Sequence, residues 1–168
     1  MKNNEDILKK ILLNMKYDPK KSLVENKKFI LADDMGLGKT TSTIIAALET
    51  GAKKILIICP ASLKINWQRE IENYSDKPTS IIEGKKWEDG DFIIINYDII
   101  KNFHDEKKKS DSVLLKTKFD LVIIDEAHYI QNKQAQRTKL INDFVSNVDR
   151  LWLLTGTPIT SRPINYFN

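Results

Sequence analysis

Four uninterrupted apolar runs constrain this chain most: Ile55-Leu56-Ile57-Ile58-Cys59, Phe92 to Ile95, Leu121 to Ile124, and Leu151 to Leu154. A strand that is apolar at every position has two faces to bury. It therefore belongs inside a parallel sheet covered by helices on both sides. The segments between these runs carry helical spacing. Lys39 to Thr50 reads as a helix with Gly51 as its stop, and residues 62–74 place Leu63, Trp67, Glu70 and Ile71 at helical intervals. Residues 133–146 read as a further helix, while Phe29 to Leu31 and Thr79 to Ile82 read as short strands. Strand alternating with helix predicts a three-layer α/β domain around a central, mostly parallel sheet.

Three segments stand outside this rhythm. Residues 5–16 carry Ile7, Leu8, Ile11, Leu12 and Met15 on one helical face, and Asp18-Pro19 ends that helix. Residues 84–91 form a charged turn around Gly84 and Gly90. Residues 101–118 are polar, with Lys107-Lys108-Lys109-Ser110-Asp111-Ser112 at their centre, and are expected to be a mobile surface excursion. Residues 1–28 read as a helical lead-in, and residues 29–168 as the core of one domain.

Composition removes other classes. The chain has 168 residues, enough to bury a core without staples. Its single cysteine forms neither an internal disulfide nor a Cys-based zinc site, and it suits a reducing compartment. No apolar stretch approaches the roughly 20 residues of a membrane helix. The polar start Met-Lys-Asn-Asn-Glu-Asp does not read as a signal or transit peptide, so an intracellular protein without a membrane partner is expected. The net charge of +4 is compatible with nucleic acid and equally with a solvated lysine surface.

Ligands of such folds sit at the carboxyl ends of the strands, and three of those ends carry unusual residues. The first is Asp33-Asp34-Met35-Gly36-Leu37-Gly38-Lys39-Thr40. Gly36 and Gly38 let backbone amides approach phosphate oxygens closely, Lys39 reaches the β- and γ-phosphates, and the Thr40 hydroxyl ligates Mg²⁺. The helix that follows points its N-terminus at the anion. The expected nucleotide set is Asp34, Met35, Gly36, Leu37, Gly38, Lys39, Thr40 and Thr41. The strict phosphate-loop pattern wants Gly where Asp33 stands. The second end is Asp125-Glu126-Ala127-His128, where Asp125 is positioned to hold Mg²⁺ and Glu126 to polarise an attacking water. The third is Leu154-Thr155-Gly156-Thr157-Pro158, which alone is only a turn.

Together these residues resemble the first RecA-like lobe of superfamily 2 helicases, and more closely the SNF2 family of double-stranded DNA translocases. Residues 31–40 resemble that family's motif I, including the Asp at position 33. Cys59-Pro60-Ala61-Ser62-Leu63, with Asn66-Trp67 and Glu70, resembles motif Ia. Ile95-Asn96-Tyr97-Asp98 resembles motif Ib. Asp125 to Asn132 resembles motif II, the DEAH box. Leu153 to Ile159, with Arg162-Pro163, resembles motif III. The resemblance spans roughly residues 29 to 165, and its finer placement is among DNA annealing translocases.

The resemblance implies a RecA-like P-loop fold, ATP and Mg²⁺ as cofactors, and Lys39 and Glu126 as catalytic residues. It implies that His128, Thr155, Gly156 and Thr157 couple the nucleotide site to other motifs. It implies double-stranded DNA contacts from Ser62, Leu63, Asn96, Tyr97 and Asp98, weak and without sequence specificity. Asp34 replaces the usual Glu. In place of an upstream Leu-x-Pro-Tyr-Gln segment stands Met15-Lys16-Tyr17-Asp18-Pro19, without the Gln, which leaves adenine selectivity open. The second RecA-like lobe, with its arginine finger, is absent from these residues and is expected in cis or trans. A cytoplasmic protein is implied, or a nuclear one in a eukaryote.

Two function classes follow. One is half of an ATP-driven DNA translocase motor whose hydrolysis needs a facing lobe. The other is a stand-alone, non-enzymatic nucleotide- or DNA-binding regulatory module. Among the remaining residues, Trp67 is expected in the core, His104 in solvent, Cys59 as a small buried apolar residue, and Arg69 and Arg137 on helices away from the strand ends.

Overall fold

A computed structural model describes residues 19–32, 38–105, 107–130, 132 and 135–156. The helix expected at residues 5–16 lies outside them. Six strands form one sheet in the order β1-β6-β5-β2-β4-β3, where β1 is Lys28–Ala32, β2 Ile55–Cys59, β3 Thr79–Ile81, β4 Phe92–Asn96, β5 Leu121–Ile124 and β6 Leu151–Thr155. Every pairing is parallel. The strand carrying Thr155 thus lies between the strands that lead to Lys39 and to Asp125.

The unbroken apolar strands do what their composition demands. Successive side chains point to opposite faces, so each strand feeds two cores. Leu56, Ile58, Ile93, Ile95, Val122, Ile124, Leu151 and Leu153 belong to one; Ile55, Ile57, Cys59, Phe92, Ile94, Leu121, Ile123, Trp152 and Leu154 belong to the other. Three helices close the second face: α1 (Pro19–Glu25) with Leu23, α2 (Lys39–Glu49) with Ile44, Ala46 and Ala47, and α3 (Lys64–Tyr74) with Trp67 and Ile71. The first face is closed by α4 (Val113–Lys116) with Leu114, by Ile100 and Phe103, and by α5 (Gln136–Val145) with Leu140, Ile141, Phe144 and Val145. Burying one Leu or Ile side chain contributes about 1.5–3 kcal/mol, so this two-sided burial dominates the stability.

The expected strands and helices form within one or two residues of their anticipated ends, except that α5 starts at Gln136, three residues later than expected; Gly51 at φ 73° lies just past α2. Helix α1 was not expected, because Asp18-Pro19 reads as a stop. Proline serves here as a helix start instead, since the first turn has no use for its missing N–H. Leu23 makes the helix worthwhile by being fully buried.

The polar segment 101–118 also differs from expectation. It is not a free excursion, because Phe103, His104, Ser112 and Leu114 are all buried. His104, expected in solvent, bonds Ser112 Oγ through Nδ1 (2.8 Å) and Asp143 Oδ2 through Nε2 (3.0 Å). Lys109 also pairs with Asp143. Ser112 Oγ accepts from Leu115 N as the N-cap of α4. Local polarity misleads here because the partner, Asp143, is more than thirty residues away. Among the described residues, no helix is long and apolar enough to cross a membrane.

Candidate functional site

A parallel sheet collects all its strand ends on one edge. Gly38, Lys39, Thr40, Thr41, Asp125 and Glu126 come together there with Leu63, Asn66, Trp67 and Glu70, lining a cleft of about 320 Å³. That is the size range of small-ligand sites. Asp34, Met35, Gly36, Leu37 and Thr157 lie outside the described residues.

Gly38 starts α2 from the left-handed region, at φ 73° and ψ 27°, with no side-chain cap on the helix. Only a glycine adopts this conformation without steric cost. The first amides of α2 therefore face the cleft with no capping side chain across them, the arrangement that binds anions. Lys39 and Thr40 follow as the first helical residues, half-buried at the cleft wall. Thr41 donates to Glu70 Oε2 (3.2 Å), tying α2 to α3.

Asp125 is held tightly. Its backbone N–H donates to Ile58 O, continuing the β2–β5 ladder for one residue. Its Oδ2 accepts the indole N–H of Trp67 (2.8 Å) and its Oδ1 accepts the N–H of Glu126 (2.9 Å). Its carbonyl accepts the hydroxyl of Tyr97. Burial raises the Asp125 pKa above its ordinary value, against the Trp67 and Glu126 hydrogen bonds and the charge of Lys39. Both donors to the carboxylate, an indole and a backbone amide, are neutral, so neither supplies a counter-charge in this partly dry place. A hard cation stabilises such a group, and Mg²⁺ typically takes one or two carboxylates beside phosphate and water oxygens. With Thr40 in the same cleft, the donor set fits Mg²⁺.

Glu126 takes φ 52°, the only non-glycine residue with positive φ among those described. Such a conformation costs about 1–3 kcal/mol and collects at functional sites. His128 Nδ1 lies 3.1 Å from Glu126 Oε2, an ion-pair distance at angles outside hydrogen-bond geometry. Thr155 is buried at the end of β6, next to Gly156.

The residues expected to meet DNA divide. Ser62 and Asp98 are exposed and Leu63 is half-buried, whereas Asn96 and Tyr97 are buried. Tyr97 points inward and stacks on Tyr129, with ring centroids 5.5 Å apart. Arg137 was expected away from the strand ends. Its guanidinium instead lies 5.6 Å over the Tyr129 ring, three residues after Glu126. Trp67 is in the core as expected, but its indole N–H also serves Asp125, a role that spacing along one helix does not reveal. Cys59 is buried, and burial pushes its thiol up to about 12, so it is an inert core residue.

The fold defines a RecA-like α/β domain. Residues 20–168 match the SNF2-related domain, and the chain belongs to that family. It is 36% identical over 150 residues to the ATP-dependent helicase YqhH of Bacillus subtilis, covering 85% of this chain and 25% of that protein. It is 32% identical over 155 residues to the human DNA annealing helicase and endonuclease ZRANB3, covering 87% of this chain and 14% of that protein. The chain thus spans a quarter or less of the length of these relatives. Among solved structures, the Hef helicase domain of Pyrococcus furiosus shares the fold, with a TM-score of 0.65 at 19% identity over 89% of this chain and 34% of that one.

Proposed function

We propose that this chain is the ATP-binding N-terminal lobe of a SNF2-like, DNA-dependent ATPase. The observation that carries the reading is the shared cleft: the start of α2, with Gly38, Lys39 and Thr40, faces Asp125 and Glu126 across a single space. The α2 amides and Lys39 bind the β- and γ-phosphates. Thr40 and Asp125 hold Mg²⁺, which when bound neutralises charge on the phosphates. Glu126 orients a water for attack. Charge developing on the γ-phosphate needs a cation as well, and in related systems an arginine finger accounts for about 10³–10⁵ in rate. Arg150 is engaged with the carbonyls of Leu23, Val24 and Asn26 at the other end of the sheet, and Arg137 covers Tyr129. Neither of these two is free to serve the cleft, which supports a facing lobe as the source of that cation. A binding-only module has no use for Glu126 held in a strained conformation in the cleft, and this favours the motor over the regulatory alternative.

The relatives' names supply ATP dependence and, for ZRANB3, DNA. For this lobe alone, duplex binding is weak, reads no sequence and declines steeply with salt, because it rests on phosphate contacts around Ser62 and Leu63. Calorimetry with Mg²⁺-ADP tests the nucleotide site. Lys39→Ala should weaken binding by about 1.5–3 kcal/mol, the worth of a charge-assisted contact. An unchanged affinity overturns the assignment.

A further inference from the structure

Asp125 is gripped from two directions by groups that belong to neither the phosphate loop nor the metal site. Trp67 comes from the middle of α3, the helix that follows the exposed Ser62 turn; its ring is fully buried and its indole N–H ends 2.8 Å from Asp125 Oδ2. Tyr97 comes from the end of β4, immediately before the exposed Asp98. Its hydroxyl donates to the Asp125 carbonyl, and its ring stacks on Tyr129. The Asp125 carbonyl opens the peptide that leads into the left-handed turn at Glu126. One donor thus sets the carboxylate and the other sets the backbone of the strained turn.

We propose that Trp67 and Tyr97 are positioning residues that fix Asp125 for the metal-nucleotide complex and link it mechanically to the two surface segments, around Ser62 and Asp98, from which they descend. This rests on the nucleotide reading of the cleft. The physical reason is directional. Each donor is a single hydrogen bond on a rigid, buried aromatic ring. A displacement of α3 or of the β4 end therefore shifts an oxygen of Asp125 instead of being absorbed by a flexible side chain. Neither donor carries charge, so Trp67 orients the carboxylate and Tyr97 the backbone behind it without placing a rival cation at the site.

Two readouts on the chain test this. In nitrogen-15 spectra the three tryptophans give three indole N–H resonances, assigned by substitution. The Trp67 resonance should move on addition of Mg²⁺-ADP and stay in place with metal-free ADP, while that of Trp152, bonded to Asn26 O, should not respond to either. By calorimetry, Tyr97→Phe, which keeps the stacked ring, and Trp67→Phe should each reduce the gain in ADP affinity produced by Mg²⁺. The reduction expected is about threefold to tenfold, with metal-free ADP affinity unchanged. Circular dichroism identifies a variant that fails to fold, and Tyr97→Phe, which removes only one oxygen atom, then carries the result. An unmoved Trp67 resonance together with an unchanged Mg²⁺ increment in folded Tyr97→Phe overturns the proposal. If Lys39→Ala still weakens ADP in that case, the nucleotide reading survives. If ADP does not bind the wild-type chain at all, both fall.

Discussion

The carboxylates of Asp125 and Asp143 each accept two hydrogen bonds, yet from opposite kinds of donor. Asp125, at the end of β5, is buried and receives only neutral donors, the Trp67 indole and the Glu126 amide. Burial raises its pKa. Asp143, on α5, is half-exposed and receives His104 and the ammonium of Lys109. The Lys109 hydrogen bond, first among the causes, lowers its pKa. Because an ionised carboxylate only accepts, His104 Nε2 carries the proton in that contact and Nδ1 faces the Ser112 hydroxyl. A carboxylate whose charge is met by a cation is a stitch. A carboxylate oriented only by neutral donors has no hydrogen-bonded counter-charge. The difference lies in the donors, not in the acid.

The comparison is broken most directly by turnover. With the facing lobe supplied, Glu126→Gln should lower DNA-stimulated phosphate release by about 10²–10⁴, the usual worth of a positioned base. Asp143→Asn should leave turnover within the scatter of wild type. Comparable losses in both would mean that the stitch belongs to the catalytic apparatus. A smaller effect is expected from His104→Ala, which strips a fully buried ring from Ser112 and Asp143. Urea unfolding should show a loss of about 1–3 kcal/mol, with Mg²⁺-ADP affinity unchanged. No loss of stability would show that His104 is a bystander to the fold.

The smallest effects are slopes with pH. Asp143 is depressed when folded, so its contribution is present above the ordinary carboxylate value of 3.8 and is lost as pH falls below that value through the folded pKa. The stability advantage of wild type over Asp143→Asn should shrink across that window. Asp125 is raised when folded, so its ionised form opposes folding, and acidification through the folded pKa toward 3.8 relieves this. The stability of wild type relative to Asp125→Asn should therefore grow as pH falls from neutral. Thermal melts across pH should give opposite slopes for the two pairs. Slopes of the same sign would remove the distinction between the two acids.

Much of the candidate site was legible because its signals are local. Gly38-Lys39-Thr40 sits between an apolar strand and a helix, and Asp125-Glu126 closes another apolar strand, so chain neighbours alone place both at the same edge of a parallel sheet. The Asp143 cluster was not legible. His104, Ser112 and Lys109 lie in a stretch whose polarity reads as surface, and their partner is on a helix recognised only by its apolar face. Tyr97 shows the same limit from the other side. The family resemblance implies a DNA contact for it, whereas the strand end turns it under Tyr129 and onto the Asp125 carbonyl.

The sequence by itself determined the layered α/β architecture, the parallel sheet and the edge that holds the candidate site, because strand burial on two faces and strand-helix alternation are properties of neighbouring residues. Only the tertiary structure decided which donors reach each carboxylate. The side-chain donors among them lie 34 to 58 positions from their acid, and hydrogen-bond partners at such separations leave no periodic trace along the chain. The same acid residue therefore becomes a candidate metal ligand at position 125 and a structural tie at position 143 according to whether folding brings it an indole or an ammonium.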